Sequence, residues 1–419
     1  MLQSQTRTEA QARISEALGC LRQDPQHGIV YENYASFSLA ASALFKLLKL
    51  PGDLIAKEQA WLVSNSLIQL FKNSKTKLED FEKILAECLK AKLRQPKTRY
   101  HVLAVAHATL TKIKNSGTVL SAKLPHCTVR LGYEFPRAAD TSPWKLSGYG
   151  EVKLVPQKPH VPIWATVAAR TEAEALERGV GAIKSVLGTV NFVLNFQKQR
   201  FNSGRDLPKN RIRLIQEHVV YRADWSRYED LISYDPPEEE ERWLVDLTED
   251  LPRVQVFLKK ALSRLNDQTF GKLLSAAMND YYEALSHVDP ALVHTRLWSL
   301  LERLTSTPSD KGPATIRRAS FLSNQTELRR RRLNQAAEAR HAIVHRSERT
   351  PFLTDISDDL KNWTDQILLY LFRTKVRFED LDMFFEMLDA PQTEAQIQRK
   401  MKVLRIALAD RRAHKKNGK

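Results

Sequence analysis

The sequence predicts an α+β protein, predominantly helical, with an N-terminal helical region, a small mixed β-sheet domain and a C-terminal all-α bundle. Three observations predict it. Apolar residues recur every three or four positions over roughly the first 110 residues and again after the middle of the chain. Between these regions lie short alternating runs broken by proline and glycine, and then a strand-and-helix pattern. The 419 residues are 42% hydrophobic and 27% charged, which suits a globular chain long enough for two or three domains. The expected divisions are residues 1–112 (helical), 113–236 (sheet), 250–405 (helical bundle) and 406–419 (basic tail).

Leu54, Ile55, Trp61, Leu62, Leu67, Leu70 and Phe71, then Phe81, Ile84, Leu85 and Leu89, set the helical spacing of the first region. The run RYHVLAVAHATL, with His101 and His107, is expected to end it as an apolar helix. TVLSAKL, CTVRLGYEF and GEVKLV read as strands separated by Pro125, Pro136, Pro143 and Gly150. VPIWATVAAR reads as another strand. Thr171 and Glu174 then form a capping box, so a helix is expected from Glu172 to about Leu187, closed by Gly188 and followed by a strand. Further strands are expected around Arg213 to Val220. SYDPPEEEERW, from Ser233, has two prolines and four glutamates and reads as a linker.

Helix then returns in PRVQVFLKKALSRL, TFGKLLSAAMNDYYEALS and DPALVHTRLWSLLERLT, the last with Asp289 as N-cap and Pro290 at its first position. A fourth helix is expected from about Ile316 and a fifth over TDISDDLKNWTDQILLYLFRT, where early acids and a late arginine match the helix dipole.

Charge is the most informative global property. A formal +16 and a pI near 9.6 suit a polyanionic partner, with nucleic acid ahead of a membrane surface. Cys20, Cys88 and Cys127 are odd in number and far apart, which predicts free thiols rather than a zinc or redox pair. No apolar run reaches the ~18 residues of a membrane span. The amino terminus lacks the pattern of a secretory signal, so a cytoplasmic location is expected. GVGAIKS at Gly179 lacks the spacing of a phosphate loop. His287 and His294 flank a helix start and read as capping residues, while Trp144, Tyr149 and Trp164 read as sheet core.

The residues with chemical potential lie in QAAEARHAIVHRSERTPFL. Arg340, His341 and His345 occur where an apolar helical segment gives way to a polar loop. A cation at a helix end is commonplace, because it faces the carbonyl end of the dipole. Here Ala342, Ile343 and Val344 interleave the basic groups, and the imidazoles are four residues apart, near one face of a helix. Between Lys311 and Arg349 the sequence has ten Lys or Arg against three Glu, among them Arg329, Arg330, Arg331 and Arg332. Such a surface gives salt-sensitive affinity for phosphates.

RHAIVHR, from Arg340 to Arg346, resembles the signature of the HEPN superfamily, R-x4-6-H with a polar residue after the arginine. Here the spacing is R-x4-H, and His341 occupies the polar slot. Apea-like HEPN proteins are similar in three further ways: an apolar helix with a Trp/Leu-Glu-x-Leu core, here LWSLLERL at Leu297 to Leu304, a basic helix before the motif, and an amphipathic helix after it. The resemblance covers about Pro252 to Lys402. It implies a metal-independent endoribonuclease, without cofactor, that cleaves RNA by 2′-OH attack in a composite site at a homodimer interface.

Arg340 would neutralise phosphate charge and His345 would transfer the proton. His341 would serve as a second proton carrier or phosphate donor, and Glu302 would orient the motif. Arg329, Arg330, Arg331, Arg332 and Arg346 would bind RNA. The resemblance further implies a toxin or anti-phage effector, with tRNA as one candidate substrate and a regulatory partner or phage-derived trigger acting through the amino-terminal half. The alternatives are a non-catalytic RNA- or protein-binding scaffold and, more distantly, a DNA-binding regulator, for which no helix-turn-helix stands out.

Overall fold

The computed structural model describes residues 4–417 apart from positions 52–53, 109, 111–117, 140–143, 147–149, 153–159, 197–209, 236–245, 308–309, 311, 323–325, 349 and 392. The linker expected from Ser233 therefore lies largely outside the described residues, as do the side chains of Trp144 and Tyr149. The fold is α+β and predominantly helical, as the sequence predicts. In chain order the elements are α1 (Ser4–Leu18), β1 (Leu21–Asp24), β2 (Gly28–Tyr31), α2 (Tyr34–Leu47), α3 (Ala56–Lys72), α4 (Leu78–Arg94), β3 (Thr98–His107), β4 (Thr118–Leu124), β5 (Cys127–Gly132), β6 (Trp144–Leu146), β7 (Gly150–Val152), β8 (His160–Ala169) and α5 (Glu172–Phe196). They continue as β9 (Arg213–Arg222), β10 (Arg227–Asp235), α6 (Leu247–Leu265), α7 (Gly271–Ser286), α8 (Pro290–Thr305), α9 (Gly312–Phe321), α10 (Thr326–His341), a π-helical turn (Ala342–Arg346), α11 (Leu353–Arg373), α12 (Leu381–Leu388) and α13 (Glu394–Asn417).

The chain forms two compact units, Met1–Tyr100 with Ala168–Arg178, and His101–Val167 with Gly179–Lys419. In the first, α1 to α4 close over Ile14, Phe37, Leu44, Leu62, Leu67, Leu70 and Phe81, all buried. Asn33 caps α2 by accepting from the Ser36 amide at 3.0 Å. The buried Glu174 carboxylate accepts from Arg170 at 3.2 Å and Arg178 at 2.7 Å, and Lys92 reaches Glu58 at 2.9 Å. The expected capping box forms with one shift. Thr171 Oγ1 accepts from the Glu174 amide, but Glu174 reaches back to the amide of Arg170 rather than of Thr171.

In the second unit a six-stranded sheet has the order β10-β9-β3-β8-β5-β4, with β10/β9, β4/β5 and β5/β8 antiparallel. Leu120, Leu131 and Ile163 on one face meet Val186, Leu187 and Val190 of α5 and Leu247, Leu251 and Val254 of α6. Leu103, Val105, Trp164, Val219 and Tyr221 form a separate buried cluster with Phe135 and Trp225. The sheet and the carboxy-terminal helices thus belong to one unit rather than to two domains divided near residue 236.

Three local expectations are corrected. RYHVLAVAH is the strand β3, buried from Tyr100 to Ala106, and not a helix. A strand covered on both faces is apolar throughout and so carries no alternation to distinguish it from a buried helix. His101 there contacts Thr166 Oγ1 at 3.0 Å and stacks on Trp225 with centroids 3.9 Å apart.

Helix α5 does not stop at Gly188 but continues to Phe196, replacing the strand expected after it. A Cβ on Gly188 would collide with the Met278 carbonyl of α7, so this glycine permits close helix packing and is not a cap. By length and composition α5 could cross a membrane, yet 72% of its most apolar window is buried inside the fold. Finally, the helix expected from Ile316 is two helices, α9 and α10.

Candidate functional site

Helix α10 owes its position to a face of small residues. Leu333, Ala336, Ala339 and, just beyond the helix, Ala342 are all buried, and their regular spacing of three keeps them within one half of the helix circumference. Three alanines let the backbone approach its neighbours α8 and α11 closely. Arg340 follows Ala339 and is therefore at the edge of that face. Its side chain is half-buried, and its Nε is fully enclosed without a hydrogen-bond partner.

Beyond His341 the backbone widens into the π-helical turn. Ser347 ends it in the left-handed region at φ 55°, and Phe352, at φ 64°, starts α11 in the same region. Two non-glycine left-handed residues around one turn cost on the order of 1–3 kcal/mol each, and π-bulges recur at functional positions. His341 and His345 are both exposed here, with ring centroids 4.5 Å apart and planes at 44°. The structure thus brings together His341, the last residue of α10, and His345 on the turn that follows, immediately after Arg340.

Glu302 is engaged elsewhere. Its Oε1 accepts from the indole Nε1 of Trp298 at 2.7 Å, one turn earlier on the same helix. Arg303, the next residue, pairs with Asp280 of α7. The orienting role expected of Glu302 is not seen in these contacts.

The arginine run divides by helical face. Arg329 is four residues before Leu333 and shares its inward face, so it is buried, and the expectation that it contacts RNA is corrected. Its guanidinium donates to Gln366 Oε1 at 2.8 Å and stands over the Trp363 ring at 5.7 Å. Burial pulls its pKa down to about 10. Arg330 pairs with Glu327 at 3.0 Å, Arg332 with Asp359, and Arg346 with Glu348 at 3.3 Å. Arg331 is exposed and has no ion pair among the described residues. Of the five arginines expected to bind RNA, four remain on the surface and one of these is uncommitted.

His294 is the residue that the sequence placed wrongly. It does not cap α8, where Asp289 accepts from the Ala291 amide at 3.0 Å, but is fully buried one turn further on. Its Nε2 lies 2.9 Å from the Ala336 carbonyl of α10 and its Nδ1 3.0 Å from Ser357 Oγ of α11. A carbonyl only accepts, so Nε2 carries the proton; the Ser357 hydroxyl beside Nδ1 is also 2.7 Å from the Leu353 carbonyl, to which it donates its one proton. Burial pushes this imidazole below its usual pKa, which keeps it neutral. The bridge ties α8 and α11 to α10 at the carbonyl one turn before Arg340. The available signal was the apolar spacing of Val293, Leu297, Leu301 and Leu304, to which His294 is adjacent on the same broad face.

Among the described residues no three His, Cys, Asp or Glu side chains are grouped to hold a metal ion. Cys20, Cys88 and Cys127 are free thiols, and burial pushes Cys127 up to about 12. No protein-family model, curated protein or solved structure matches the chain.

Proposed function

We propose that the protein is an endoribonuclease of the HEPN type, cleaving RNA by internal attack of the 2′-OH. The observation that carries this reading is the exposed pair His341, at the end of α10, and His345, on the π-helical turn after it, directly following Arg340, whose Nε is enclosed without a partner. Cleavage of this kind needs a base for the 2′-OH proton, an acid for the departing 5′-oxygen and a cation for charge developing on phosphorus. Imidazole exchanges protons near neutral pH and guanidinium stays charged.

In this reading Arg340 binds the phosphate, His345 moves a proton and His341 donates to a phosphate oxygen or acts as second proton carrier. Arg330, Arg331, Arg332 and Arg346 add surface charge for the RNA backbone. A homodimer would supply a second copy of the motif. Restraint of such an activity, as a toxin or anti-phage effector, would fall to the amino-terminal unit or to a partner.

The test is incubation of the full chain with total cellular RNA and mapping of the ends. Expected are 2′,3′-cyclic phosphate and 5′-hydroxyl ends, a rate unaffected by EDTA, and losses of about 10²–10⁴-fold in Arg340→Ala and His345→Ala. Unchanged cleavage in both folded variants would sink the proposal. One observation favours a second reading, a non-catalytic RNA- or protein-binding scaffold: Glu302 is bonded to Trp298 and not to the motif. On that reading RNA is bound but left intact.

A further inference from the structure

We infer that α13 is a dimerisation arm that pairs antiparallel with α13 of a second copy of this chain. Every described side chain of this helix, from Glu394 to Ala409, is exposed. Four large apolar residues among them, Ile397, Met401, Leu404 and Leu408, are 37–58% exposed. Their spacing is four, three and four, which at about 100° per residue confines them to a stripe about 60° wide. So narrow a stripe suits a helix–helix seam, whereas a helix lying on lipid presents a broad apolar face. Val403 and Ile406 lie on the opposite side, where they would face the water above a membrane.

The pattern identifies the occupant as well as the mode. A spacing of four, three and four reads the same from either end, so a two-fold-related antiparallel copy matches every seam position. Ile397 meets Leu408 of the partner subunit, and Met401 meets Leu404 of the partner subunit.

Charge selects the direction. With Met401 and Leu408 at a positions and Ile397 and Leu404 at d positions, Lys400 is at g and Arg405 at e. A parallel pair would set Lys400 against Arg405 of the partner subunit on both sides of the seam. The antiparallel pair sets Lys400 against Ala407 of the partner subunit and Arg405 against Gln398 of the partner subunit. Four residues per helix make a contact below the ~1,200–2,000 Å² of a standard interface, so the pairing contributes a weak association, on the order of micromolar by itself.

This inference does not depend on the ribonuclease reading. A chain that pairs through α13 and leaves RNA intact keeps the former and loses the latter. Sedimentation equilibrium of the full chain over a wide concentration range tests it. Wild type should show concentration-dependent dimerisation, and Met401→Glu with Leu404→Glu should weaken it at least tenfold without changing the thermal melt. Val403→Glu with Ile406→Glu, on the far side, should leave it unchanged.

A mixture of Ile397→Cys and Leu408→Cys chains should form a heterodisulfide between these positions, and Ile397→Cys alone should not link to itself there. A wild-type monomer at all concentrations overturns the inference, as does dimerisation indifferent to the Met401 and Leu404 changes. A monomer whose α13 binds a synthetic acidic helix with a leucine seam replaces the second copy with an acidic partner. Linkage of Ile397→Cys to itself overturns the antiparallel register.

Discussion

Arg329 and Arg331 are two residues apart in the sequence and differ in almost every physical respect. One is buried beneath Gln366 and Trp363, and the other is exposed. Only a solvated cation can exchange counterions with RNA. If the protein binds RNA as proposed, Arg331→Ala weakens that binding uniformly across sequences and lowers the salt-dependence slope by about one. Arg329→Met should leave that slope unchanged and shift the denaturation midpoint instead; equal slopes in the two variants would contradict this assignment.

His294 has a different signature. Its folded pKa is depressed below the ordinary 6.5. As pH falls through that value the unfolded chain takes up a proton that the folded chain resists, so the stability linked to this group is complete above 6.5 and lost below it. Urea midpoints measured from about pH 7.5 to about pH 5 should fall for wild type more steeply than for His294→Gln, whose amide can still donate to Ala336. Parallel curves would show that this imidazole is not the group responsible.

At the scale of elements, α5 offers two glycines with opposite expectations. A Cβ at Gly181 meets nothing within 4 Å, while one at Gly188 strikes the Met278 carbonyl. Gly181→Ala should raise stability by about 0.5–1 kcal/mol, because alanine loses less backbone entropy in a helix. Gly188→Ala should lower it by several times that amount, since α5 and α7 must separate. Thermal melts of the two variants, read against wild type, give the signs directly.

The same helix explains a failure of reading. SVLGTVNFVLNF is rich in β-branched residues and glycine, the composition of a strand, and becomes helix because burial against the sheet and α6 outweighs local propensity. Capping signals were more dependable. Asp289 with Pro290 starts α8, and Thr171 with Glu174 starts α5, because a cap is satisfied within one turn.

At the scale of the molecule, the helical part of the second unit contains a buried ion pair, Lys361 with Asp365 at 2.6 Å, beside Tyr281. Burial raises the Asp365 carboxyl pKa against the attraction of Lys361, so desolvation outweighs the pairing. Removing one partner leaves an uncompensated charge. Lys361→Met should cost about 3–5 kcal/mol, and Lys361→Met with Asp365→Leu should recover most of it, to within about 1 kcal/mol of wild type. A double variant as unstable as the single would show that the pair contributes net stability and is not merely tolerated.

The sequence by itself determined the class of fold, most helix positions and their caps, and the clustering of Arg340, His341 and His345, because each depends on residues within a turn or two of one another. Tertiary structure alone decided that RYHVLAVAH is a strand, that Arg329 is interior and that His294 bridges three helices. The physical reason is common to all three. Periodicity reports which face of a segment is apolar, but whether a polar group on that face can be buried depends on partners from distant segments, and those partners exist only once the chain is packed.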